Sequence, residues 1–183
     1  MYMSAQTELR VLEKDIEKSL EVLAKIERFY EEQKTKIWGE PSKQTGNEPE
    51  GPQAGRTQVE AILFAEILVN YYTCLETIFF RVAQFFENHL SKERWHQDLL
   101  DRMAMDIPEV RPRILTDETA RLLRELLRFR HFKRYYFEFE YDWDRLEFVR
   151  KKFETARPRV RVELQEFLQF LRVSAANSEH GTT

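Results

Sequence analysis

Cysteine is almost missing from this chain of 183 residues. Cys74 stands alone, so no intramolecular disulfide can form, and a chain of this length buries a core without one. Glycine and proline are scarce too, at 5 and 6 residues. Most of them fall in one stretch, which favours long helices over many short strands and turns. The start, Met1-Tyr2-Met3-Ser4, lacks a basic end followed by an apolar run, so no signal peptide is expected. The longest apolar segment, Ala61 to Phe86, contains Glu66, Asn70, Glu76 and Arg81, too many polar groups for a membrane span. A cytoplasmic setting with no membrane contact is the expectation left by elimination. With a net charge of −3 there is no global basic excess, and any nucleic-acid contact must come from a local surface. His89, His96 and His180 are scattered without ligand spacing, and no Gly-rich phosphate loop or Gly-x-Ser-x-Gly elbow occurs. Neither a metal nor a cofactor is therefore expected. Cys74 sits in an apolar stretch and reads as a packed residue rather than a catalytic thiol.

What is present is helical periodicity. Leu9, Leu12, Ile16, Leu20, Leu23, Ile26 and Tyr30 recur at spacings of three and four, which predicts an amphipathic helix over about residues 6–36. Residues 39–56 hold Pro41, Gly46, Pro49, Gly51 and Pro52 and read as a flexible loop. Thr57 and Glu60 form a capping box for a second, very apolar helix running to about His89. A third helix is expected from Ser91, with residues 94–105 as its body. Thr116 caps a fourth, with Asp117 and Glu118 complementing its dipole, ending near Phe137. The last begins at Trp143, is expected to break at Pro158, and gives way after Ala175 to a disordered tail over 176–183. Tyr135 to Tyr141 alternates as a strand would, but a lone strand has no partner in a helical chain. The prediction is one all-α domain over residues 1–175, an antiparallel bundle of about five helices.

The chemistry concentrates in Arg128-Phe129-Arg130-His131-Phe132-Lys133-Arg134-Tyr135-Tyr136-Phe137. At about 100° per residue, Arg130, His131, Arg134, Tyr135 and Arg124 share an arc of roughly 140°. Leu122, Leu126, Phe129, Phe132 and Tyr136 occupy the opposite side. Guanidinium forks fit phosphate oxygens, an imidazole moves protons near neutral pH, and aromatic rings stack on bases. The same run also reads as a solvated basic face neutralised by Glu138, Glu140, Asp142 and Asp144. Arg157, Arg159 and Arg161 around Pro158 divide the same way, with the solvated reading favoured. The aromatic cluster of Phe137, Phe139, Tyr141, Trp143 and Phe148 reads as core or interface.

The run resembles the signature of the HEPN class, and specifically its HepT-like branch: an Arg, a polar residue next, a His five positions after the Arg, and a Tyr two further on. Trp95-His96-Gln97-Asp98-Leu99-Leu100, Ile107-Pro108-Glu109-Val110-Arg111-Pro112 and Tyr141-Asp142-Trp143-Asp144-Arg145-Leu146 carry the resemblance beyond the motif, over about residues 57–172. It departs at two positions: Tyr135 stands where the signature has His, and Phe137 where it has Tyr. The resemblance implies a homodimer in which Arg and His from two subunits meet and cleave RNA without metal, through the ribose 2′-hydroxyl. It also implies a partner nucleotidyltransferase antitoxin that attaches AMP to the motif Tyr, whose hydroxyl Phe137 lacks. Arg130 would then stabilise phosphate, His131 move protons, Arg134 contact substrate charge, and Tyr135 line the substrate site. The alternative is a non-catalytic helical partner that binds the nucleotidyltransferase.

Overall fold

The computed structural model describes residues 5–39, 57–87, 95–135 and 140–180. Five helices account for nearly all of them: α1 (Ala5–Trp38), α2 (Gln58–Glu87), α3 (Trp95–Met103), α4 (Asp117–Tyr135) and α5 (Trp143–His180). Among the described residues the only β-type pairing is an isolated bridge between Ile107 and Arg111. The expected all-α bundle is what forms. The flexible loop expected over 39–56, the start at Ser91 and the end near Phe137 lie, Gly39 apart, outside the described residues.

Each helix begins or ends where local chemistry dictates. Gly39, at φ 75°, donates its N–H to the Thr35 carbonyl at 2.8 Å, a left-handed cap that only glycine adopts without cost. The Thr57 N–H donates to Glu60 Oε2 at 2.8 Å and the Glu60 N–H to Thr57 Oγ1 at 3.4 Å, completing the capping box. At α4 the Thr119 N–H donates to Thr116 Oγ1. Both hydroxyls donate to Glu163 of α5, at 2.8 and 2.7 Å.

α2 is the central element. Phe64, Leu68, Tyr71, Leu75, Ile78, Phe79 and Val82 are all essentially inaccessible, and burying side chains of this size contributes about 1.5–3 kcal/mol each. By length and composition α2 would suffice to cross a membrane, but here it packs against all four other helices. Cross-helix contacts fix the directions. Ser19 meets Cys74 while Tyr30 meets Phe64, so α1 and α2 run antiparallel. Glu118 meets Arg159 while Phe132 meets Arg145, so α4 and α5 do likewise.

Two sequence expectations need correction in α5. Pro158 does not break it: a single helix runs from Trp143 to His180, past the point where a disordered tail was expected to begin. Pro158 removes one backbone donor, but flanking contacts hold the turn. Arg157 pairs with Glu31, Arg161 with Glu27 and Arg159 with Glu118. The arginine run thus straps α5 to α1 and α4. Of the aromatic cluster, Trp143 is buried, Tyr141 packs on Phe129, and Phe148 stays 48% exposed.

Candidate functional site

α4 presents its core side, Leu123, Leu126, Leu127 and Phe129, to the bundle, and this orients the motif residues. Arg130 leaves the helix at the boundary between that core side and the surface. Its Nη1 lies 2.7 Å from Oε1 of Glu76 on α2, and the two side chains are 16% and 8% exposed. The guanidinium carbon is 5.8 Å from the centroid of the Tyr72 ring, one helical turn before Glu76. Burial, aided by the Glu76 charge, pushes the Tyr72 phenol well above its ordinary value, so that ring is a neutral wall beside the pair.

A carboxylate this deeply buried in an apolar helix needs a partner, and Arg130 supplies it. One guanidinium nitrogen is committed to Glu76, and the fork has further N–H groups. His131 follows directly and is half-buried. Arg134 and Tyr135 occupy the last described turn of α4, and their side chains lie outside the described residues. The arc read from sequence is therefore packed along one edge, where Arg130 meets α2, rather than open across its width. The neutralising carboxylates also differ from those expected. Glu76 and Glu66 of α2 pair with Arg130 and Lys133, Asp101 of α3 with Arg124, and Glu125 with Arg128. Asp142 instead caps α5 through the Asp144 N–H.

Sequence reasoning passed over Glu76 and Arg145. Glu76 was visible as a carboxylate flanked by apolar residues, and such a group signals a buried ion pair. Arg145 had no local signal, because its contact is with Phe132 on another helix, at 3.8 Å from the ring centroid.

A second polar centre shapes the loop between α3 and α4. Arg111, with a fully buried side chain, pairs with Glu87 at 2.5 Å. It also donates to the carbonyls of Arg102, Met105 and Pro112. Glu109 takes a left-handed φ of 63° to make the turn. Burial opposes the Glu87 charge, but hydrogen bonds from Arg111 and Arg102 outweigh it and hold the carboxyl below its ordinary value. This centre braces a loop. Cys74 donates to the Ser19 carbonyl, and burial raises its thiol to about 11, which fits a packed residue. Among the described residues no group of three or more His, Cys, Asp or Glu is placed to hold a metal.

A family model described as HepT-like protein matches residues 63–171, from the first turns of α2 to the last third of α5. No curated protein and no solved structure matches the chain.

Proposed function

The chain belongs to the HepT-like protein family, within the HEPN superfamily, and from that premise we propose that it is the HepT-like component of a toxin–antitoxin-type system, acting on RNA as a metal-independent endoribonuclease in homodimeric form. The observation that carries this reading is the Arg130 guanidinium, held from beneath by buried Glu76 and adjacent to His131 on one helix. A fork fixed at one nitrogen keeps its remaining N–H groups in a set direction. That is what stabilising a phosphorane requires, because donors already in place need no reorganisation. In the proposed reaction the ribose 2′-oxygen attacks phosphorus and gives up its proton, and the 5′-oxygen leaves and takes one up. The products are a 2′,3′-cyclic phosphate and a 5′-hydroxyl. His131 and its copy in the second subunit carry the two proton transfers. Arg134 and Tyr135, further along α4, contact substrate charge and base.

The experiment is incubation of the purified full chain with tRNA and mRNA, with end-group analysis of the fragments. Cleavage to cyclic-phosphate ends, lost in Arg130→Ala and in His131→Ala, supports the reading. Equal cleavage by both variants overturns it.

A second reading rests on two residues. Tyr135 has a phenol, ordinarily near pKa 10, where the signature has an imidazole, and Phe137 has no hydroxyl for AMP. Under this reading the chain is a non-catalytic HEPN-like partner of a nucleotidyltransferase. Its mark is a stable complex with a co-expressed nucleotidyltransferase and no RNA cleavage by the wild type.

A further inference from the structure

The outer surface of α4 is basic in sequence, but four of its described cations are neutralised in space. Arg124, Arg128, Arg130 and Lys133 each face a carboxylate. An RNA phosphate approaching any of them competes with an anion already in place. Arg145 differs. It stands in the first turn of α5 with its guanidinium carbon 3.8 Å from the centroid of the Phe132 ring. It is exposed, and among the described residues no carboxylate pairs with it. Asp142 is engaged in capping the helix, and neighbours in sequence such as Asp144 point away around it. A cation in the first turn of a helix also works against the helix dipole, so the helix itself gives no reason for an arginine there. The ring contact restricts the guanidinium while the residue stays exposed to solvent. Phe132 directly follows His131, which puts this anchored cation at the border of the motif.

We propose that Arg145, seated on Phe132, is a phosphate-binding residue for single-stranded RNA. The inference rests on the RNA reading above and adds to it a contact from α5. Stacking restricts the guanidinium before RNA arrives, so less side-chain freedom is lost on binding than for a solvated lysine.

The test is fluorescence anisotropy of a labelled single-stranded RNA oligonucleotide with the full chain over a salt series, together with a thermal melt of each variant. Arg145→Gln is expected to weaken binding about tenfold, the scale of one charge-assisted hydrogen bond, with an unchanged melting temperature. Its slope of log affinity against log salt should fall by about 0.7, the loss of one phosphate contact on a single strand. Arg145→Lys should keep the slope and recover only part of the affinity. Arg121→Gln removes another exposed α4 cation, about 15 Å up the helix from His131, and should match wild type. If wild type binds RNA and Arg145→Gln binds equally well, this inference falls and the RNA reading stands. Equal losses in Arg145→Gln and Arg121→Gln would assign the effect to bulk charge and overturn it. A loss that only tracks a lowered melting temperature would make Arg145 a structural clamp and overturn it as well. Absence of RNA binding by wild type removes both the RNA reading and this one.

Discussion

Arg130 and Glu76 lie 54 positions apart in sequence and 2.7 Å apart in space, joining α4 to α2 through side chains that are both largely buried. Removing one member of such a pair leaves an uncompensated charge in a dry setting. Glu76→Ala is expected to cost about 3–5 kcal/mol of stability, read from urea unfolding. Glu76→Gln keeps a hydrogen-bond acceptor and should cost less. It should still lower RNA turnover, because the arginine loses the anion that aims it. A Glu76→Gln protein with full turnover would show that the pair does not position Arg130.

The Arg111 side chain is fully buried against Glu87. Arg111→Ala is expected to destabilise by about 3–5 kcal/mol. Because the folded Glu87 carboxyl sits below its ordinary value of 4.5, its contribution is present above that value. It is lost as pH falls through the lower folded one. Melting temperatures taken from about pH 7 to about pH 3 should therefore drop less in Glu87→Gln than in wild type. An identical acid dependence in the two proteins would contradict the role given to this pair.

Pro158 sits inside an unbroken α5. Proline in a helix interior is less favourable than alanine by up to about 3 kcal/mol, so Pro158→Ala should raise the melting temperature. A fall would mean that a local bend at Pro158 is needed to bring Arg157 and Arg161 onto Glu31 and Glu27.

Much of the architecture was legible because it is local. The three-and-four spacing from Leu9 to Tyr30, the box at Thr57 and Glu60, and the cap at Thr116 all act within a few residues. Each reappears in the structure. Pro158 was misread because its cost is met by three arginine bridges to helices distant in sequence. The motif helix was legible as an arc, but its electrostatics were not. The expected neutralising acids were sequence neighbours, whereas the carboxylates on Arg130 and Lys133 come from α2. Periodicity says which face a residue takes, not what another helix places opposite it.

The central claim is that Arg130, aimed by Glu76, meets a phosphate. The most direct measurement is the single-turnover rate of RNA cleavage by folded wild type and by Arg130→Ala, with product ends identified. The account predicts fragments ending in 2′,3′-cyclic phosphate from wild type and a rate about 10²–10³-fold lower in the variant, as when one preorganised donor to a developing anion is removed. Cleavage at the same rate by both proteins would contradict it.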